Sequence, residues 1–354
     1  MHESLQRRIA RYHEFYASDL PGDLLIVNRP SWVTKKNLYE YDFTRDGHLE
    51  MAADMLQSAR ALLAMNGDLD DDFIPWLNVD FGIAIHHTFL YDLPVQFAEW
   101  TSWADHPLTG PDGYQKLPEL RYQSDNPWVR RVKEVVAYWH AQQDDCCLHA
   151  TFGHYGPLDL ANALRGDELF TDFYEFPEDV HALLRCCTEA IIAFEEELRT
   201  VCGERLHSYG APFWGALAPR GAVFLSEDAM DLCGPNISTA WGLPYSQQIA
   251  AHFGAIAVHH HMLGRPVQGV IGQEVRHSLV QISNDPNCPP AMSCLRELYQ
   301  QAGGNAVMVD CSPQDIADHL DDLREVRAIL ICCNSDIDAG KRAVEMVRSI
   351  SNIT

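Results

Sequence analysis

Positive charge is scarce in this sequence: 26 lysines and arginines stand against 50 aspartates and glutamates, a formal net charge of −24. A surface of that sign repels polyanions, which excludes nucleic acid and acidic membranes as principal partners. Long apolar runs are missing too. No stretch reaches the roughly 18 apolar residues that a membrane-spanning helix needs, and the opening MHESLQRRIARYHEF lacks the apolar core of a secretory leader. Low-complexity tracts and solenoid-type repeats are absent. So are several chemical signatures. LLIVNRPSW (24–32) is followed by no glycine-rich phosphate turn, and there is no HExxH, no paired CxxC and no Ser-centred nucleophile elbow.

Cysteine is plentiful, at 11, but its placement argues against disulfides. Cys146–Cys147, Cys186–Cys187 and Cys332–Cys333 are adjacent pairs inside apolar runs, where neighbouring side chains diverge. Free cysteine packs as a small hydrophobe, so this usage fits a reducing compartment and a soluble, cytoplasmic protein. Hydrophobic residues make up 47% of the chain, ample for one large core. The expected organisation is a single domain over 1–354, in which 1–70 supplies a helical leader region and the first strand.

Short apolar runs alternate with long helical patterns. The candidate strands are 24–28, 74–79, 147–152, 222–228, 255–262, 278–283, 306–310 and 328–333. Most are continuously apolar, as parallel strands buried on both faces are. Between them, LEMAADMLQSARALLAM (49–65) repeats apolar residues at three- and four-residue spacing, and 178–201 does so after the helix-starting Pro177. Eight strands with intervening helices predict an α/β fold, a (β/α)8 TIM barrel. An open doubly wound sheet is the alternative, disfavoured by the missing phosphate turn. The Trp- and Pro-rich stretch at about 80–125 breaks the alternation and predicts an irregular excursion over one barrel end. Its aromatic residues either line a cavity or pack the excursion down.

In such a barrel the chemistry sits at the C-terminal strand ends. There the sequence places His259 and His261, two apart on the fifth strand and so on one face, while His260 points toward the helices and needs a buried hydrogen-bond partner. Glu227 and Asp228 end the fourth strand, as acid/base groups, a helix N-cap or partners of Arg220. Asn284 and Asp285 follow the sixth strand, Asp310 and Cys311 the seventh, and Cys332 and Cys333 end the eighth. Two imidazoles, a thiolate and an exchangeable position make a catalytic zinc site. Histidines bonded to substrate or to each other, and cysteines packed in the core, are the plain alternatives.

FGHYGPLDLANALRGDELFTDFYEFPEDVHALLRCCTEAIIAF (152–194) and APRGAVFLSEDAMDLCGPNISTAWGLPYSQQIAAHFGAIAVHHHMLG (218–264) resemble the uroporphyrinogen decarboxylase superfamily, as do 75–97 and 327–350. The resemblance covers most of the chain from about residue 70 and implies the (β/α)8 barrel. True decarboxylases of the family carry an N-terminal RPxWxMRQAGR signature that holds substrate carboxylates. Here only Arg29, Pro30 and Trp32 echo it, which makes an acidic chain a poor host for a polycarboxylate.

The chain is more similar to the family's zinc-dependent methyltransferases, which move methyl groups between corrinoid proteins and thiols. In that branch the fifth strand ends in His-x-Cys-Gly, and a second cysteine ends the last strand. The resemblance implies a zinc held by His259, His261 and Cys333 or Cys332, with Asp228 orienting substrate. Cys333 is preferred because it shares a side with Ile329 and Ile331. Two departures stand out: His261 replaces the family cysteine, and Gly264 lies three residues beyond it rather than one. Aligning Gly264 instead puts His261 on the family histidine and Leu263 on the cysteine. Three readings follow. They are a zinc-dependent methyltransferase working with a corrinoid-binding partner protein or another methyl donor, a metal-free decarboxylase or lyase using Asp228, His259 and His261, and a non-catalytic corrinoid- or tetrapyrrole-binding protein. A homodimer is compatible with all three.

Overall fold

All eight expected strands form, and they lie parallel wherever they pair. The computed structural model describes residues 3–30, 36–66, 69–142, 148–203, 212–264, 279–334 and 336–353. Trp32, the Cys146–Cys147 pair and Ser278 lie outside the described residues. The strands are β1 (Leu24–Pro30), β2 (Trp76–Val79), β3 (Leu148–Phe152), β4 (Val223–Ser226), β5 (Ile256–His261), β6 (Leu279–Ser283), β7 (Ala306–Cys311) and β8 (Ala328–Asn334). One sheet runs β1-β8-β7-β6-β5-β4 and ends on His154–Tyr155, the two-residue continuation of β3, while β2 pairs with β3. The expected helices span Gly47–Asn66 and Pro177–Cys202.

This order is compatible with a (β/α)8 barrel, but no ladder joins β1 to β2 among the described residues. Carboxylates occupy that seam. The Ile26 and Asn28 amides donate to Asp72 Oδ2 (2.7 Å) and Asp71 Oδ2 (3.2 Å), and the Asp72 amide returns a bond to the Ile26 carbonyl (2.7 Å). Arginines compensate the buried charges: Arg8 reaches Asp71 at 2.9 Å, and Arg11 and Arg348 reach Asp72 at 2.5 and 2.8 Å. The edge amides are therefore satisfied without a neighbouring strand.

Alternation along the strands makes two cores. Leu25, Val27, Ala257, Leu279, Ala306, Met308, Ile329 and Ile331 belong to one cluster, and Leu24, Ile26, Val258, Val280, Val309, Leu330 and Cys332 to the other, which includes the helices. The first cluster also holds Ala216, Leu217 and Trp214 from a hairpin (212–217) that precedes β4. Trp214 and Gly215 both take positive φ, 42° and 86°, at its turn. Ile74 N donates to the Gly215 carbonyl (2.7 Å), and a Cβ on Gly215 would stand 2.9 Å from Phe73. Small inward residues such as Ala257 and Ala306 leave room for this hairpin.

The excursion after β2 contains a helical turn (Ile85–Thr88), a hairpin (Gln96–Phe97 with Ser102–Trp103) and a 3-10 stretch (Gly113–Glu119). Phe81 and Phe97 pack against Phe43 and Trp128, whereas Trp100 and Trp103 stay more than half exposed. Packing rather than cavity lining accounts for the phenylalanines.

Candidate metal centre

The ladder explains why β5 ends in histidines without penalty. His259 pairs with Ser226 on β4 and with Gln281 on β6, and paired residues of parallel strands face the same side. Gln281, fully buried on an otherwise apolar strand, thus lies beside His259 and contacts its Nδ1 through Oε1. The amide is oriented by its Nε2, which donates to Ser283 Oγ at 3.1 Å. His261 Nδ1 faces Asp285 Oδ1 at 2.8 Å, and Asp285 Oδ2 accepts the Leu263 amide, also at 2.8 Å.

An acceptor oxygen opposite each Nδ1 assigns the proton to Nδ1 on both rings. Each Nε2 then carries a lone pair rather than a proton, and the two nitrogens face each other 3.1 Å apart. Asp228 Oδ1 lies 3.6 Å from the first and 3.7 Å from the second. These three ligand atoms all sit within 4.8 Å of one another. Electron-rich atoms converging on one point repel unless a cation lies among them. A proton is a poor candidate on His259. Burial lowers that imidazole's pKa, and neighbouring His261 and His260 add to the effect, outweighing the Asp228 carboxylate and the Gln281 hydrogen bond. A metal ion fits: two nitrogens on a tetrahedral zinc, each about 2.1 Å from it, stand ~3.4 Å apart.

His260 takes the opposite face and finds its partner there. Its Nδ1 donates to Asp231 Oδ1 (3.0 Å), and the other oxygen of Asp231 accepts the His261 amide (2.6 Å). Burial opposes charge on His260, but the Asp231 carboxylate, with Glu227 and Asp228 beyond it, raises its pKa overall. Gly264 closes over this carboxylate so tightly that a Cβ would lie 1.7 Å from Asp231 Oδ1. The glycine is required by that contact, not by a place in a His-x-Cys-Gly motif.

Asp228 opens a short helix, Asp228–Asp231, and its carboxylate also accepts the Ser226 hydroxyl (3.2 Å). The turn is pinned from behind, where buried Asp159 accepts the Ala229 amide at 2.5 Å. Glu227 and Asp228 separate in role. Glu227 is fully buried on the His260 side, away from His259 and His261, and accepts the Ser246 hydroxyl (2.7 Å). Burial pushes its pKa up to about 7, and burial with the Asp228 and Glu227 charges pushes Asp159 well above the usual carboxylate range. Trp214 meets His259 in a T-shaped contact, with ring centroids 4.9 Å apart.

The structure therefore brings together His259, His261 and Asp228 from the expected set, and neither cysteine joins them among the described residues. Cys332 is buried in the outer core, with its thiol on Asn334 Oδ1 (3.2 Å). Cys333 alternates onto the side of Ile329 and Ile331, as expected, and is exposed. Asn284 serves the backbone, accepting the Ala291 amide at 2.8 Å. Gln281, Asp231 and Trp214 were not singled out from sequence. Only Gln281 left a usable signal there, a lone polar residue at the inward position of LVQIS.

No protein-family model and no curated protein sequence matches the chain. A solved structure, a methyltransferase from Methanosarcina mazei, is similar over 98% of both chains with a TM-score of 0.61 at 10% identity. At that identity the likeness shows a shared fold. Among the described residues, no helix is long and apolar enough to cross a membrane.

Proposed function

We propose that this chain is a metal-dependent enzyme of the methyltransferase kind, built as a (β/α)8 barrel of the uroporphyrinogen decarboxylase superfamily. The observation that carries the reading is the convergence of His259 Nε2, His261 Nε2 and Asp228 Oδ1, with both Nδ1 atoms turned to acceptors. The fold shared with a methyltransferase supports the reaction class. Zinc is the proposed ion, held by His259, His261 and Asp228; Asp228 takes the place that the resemblance gave to Cys333. A bound ion of this kind supplies Lewis acidity, lowering the pKa of an acceptor group at its open position.

The protein's own groups do the rest. Gln281 and Asp285 fix the tautomer and orientation of the two rings, the usual work of partners behind metal-binding histidines. Asp231 ties the His261 backbone to the outer layer through His260, and Asp159 holds the turn that carries Asp228. Trp214 packs its ring against His259. The methyl donor is proposed to be a corrinoid carried by a partner protein, and the acceptor a small molecule. The test is methyl transfer from methylcobalamin to a panel of thiol and alcohol acceptors by zinc-loaded protein. Activity lost in Asp228→Ala, with the fold retained, supports the reading. No transfer to any acceptor would remove methyl transfer from it.

A further inference from the structure

Beside Ser226, whose hydroxyl bonds Asp228, stands a phenol that the proposed reaction has not yet used. His154 pairs with Leu225 and Tyr155 with Ser226, so the two residues face opposite sides of the sheet. His154 turns outward, to Glu195 of the long helix Pro177–Cys202 (3.1 Å). Tyr155 takes the side of Ser226 and His259, so that Tyr155, Ser226 and His259 form one row across three adjacent strands. At about 4.8 Å between neighbouring strands, the Tyr155 backbone lies roughly 10 Å from that of His259, a gap that a tyrosine side chain largely spans.

The ring is held in place. His86, from the helical turn after β2, stacks on it with centroids 4.3 Å apart and planes at 21°. His86 is kept neutral: burial lowers its pKa to about 3, helped by His154. Its Nδ1 is buried without a hydrogen-bond partner among the described residues, so the imidazole is retained there for its ring face. The phenol is likewise kept neutral, its pKa raised by burial and by the Asp159 and Asp228 charges, so it remains an O–H donor. Among the described residues that hydroxyl makes no hydrogen bond, while the Trp139, Tyr12, Tyr16, Tyr114 and Tyr122 polar atoms all do. A positioned donor with no hydrogen-bond partner among the described residues, one strand from the Ser226 that bonds Asp228, is available to a ligand.

We propose that Tyr155 donates a hydrogen bond to an anionic oxygen, carboxylate or alkoxide, of the ligand bound at the open position of the His259–His261–Asp228 centre, with His86 as its positioning residue. This rests on the metal reading above and deepens it by naming the ligand class. A phenol O–H bonds an oxyanion strongly and sulfur weakly, so the site selects oxygen over thiol.

The experiment uses the full chain loaded with cobalt(II), whose visible spectrum reports what enters the open position. Acetate and ethanethiol are titrated separately into the wild type, Tyr155→Phe, His86→Ala and His86→Phe. Loss of one hydrogen bond to a charged acceptor is worth about tenfold in affinity or more. Tyr155→Phe is expected to weaken acetate about tenfold, with cobalt affinity and ethanethiol affinity unchanged. His86→Ala weakens acetate by a smaller factor, and His86→Phe, which keeps a stacking face, restores it. Cobalt uptake with acetate affinity unchanged in Tyr155→Phe overturns the assignment and leaves the metal centre standing. Failure of the wild type to take up cobalt overturns both.

Discussion

Replacing Gly264 by alanine tests how β5 is held. An added Cβ would meet Asp231 at 1.7 Å from Oδ1, 2.2 Å from Cγ and 2.5 Å from Cβ, against the 3.4 Å at which ordinary contact begins. Asp231 must therefore retreat by about 1.7 Å. It is buried, and its two oxygens are engaged at 3.0 Å by His260 and at 2.6 Å by the His261 amide. Neither bond survives such a shift, and His260 is left buried without its counter-charge. Breaking a buried charged pair in this way costs about 3–5 kcal/mol. For a chain of this size that is a fall of roughly 5–10 °C in thermal midpoint, read by circular dichroism. Gly234→Ala is the control. Nothing lies within 4 Å of its added Cβ, and at a helix N-cap the change costs about 1 kcal/mol or less. Metal affinity is read on the same Gly264→Ala sample and is expected to fall, since His261 loses its backbone anchor. A variant that melts with the wild type and keeps its metal would refute the reasoning.

Asp72→Ala removes the acceptor for the Ile26 amide, takes from Arg348 its carboxylate and leaves Arg11 only the exposed Asp70; urea unfolding should show a loss of about 3–5 kcal/mol. Asp285→Ala frees the His261 ring and should weaken metal binding about 10–100-fold by competition with a chelator, with little effect on melting. Glu195 gives a pH dependence. Burial raises its pKa, but the His154 hydrogen bond and the Arg199 charge outweigh that and hold it below the usual glutamate value. A folded-state pKa below the unfolded one gives stability that is complete above the ordinary carboxylate range and lost as pH falls through the folded value. Glu195→Gln should therefore be less stable near neutrality and lose less on acidification below about pH 4, a difference that paired urea titrations would show.

Strand placement was legible because apolar runs of parallel strands are continuous, and the alternation that put His259 and His261 on one side and His260 on the other follows from the pleat alone. The same alternation placed Cys333 with Ile329 and Ile331. It could not give the separation of β8 from β5 across the sheet, and the group that completes the cluster is Asp228, from the helical turn that follows β4, the neighbour of β5. Gly264 shows the limit of motif reading. In the His-x-Cys-Gly comparison it marks register, whereas its need comes from a carboxylate 33 positions earlier in the chain, at Asp231. The seam between β1 and β2 was equally hidden. Asp71 and Asp72 look like ordinary turn residues until Arg8, Arg11 and Arg348, far apart in sequence, meet them in the fold. Trp214 gave no warning either, since a tryptophan at positive φ is disfavoured locally and is held there by the packing around it.

His259, His261 and Asp228 are proposed to share one metal ion. Elemental analysis of protein purified without a histidine tag, then offered zinc and desalted, tests that proposal directly, with His261→Ala alongside. About one zinc per chain is expected in the wild type and none in a variant that still folds. Wild-type protein that emerges without metal would contradict it, and the converging histidines would then have to share a proton instead.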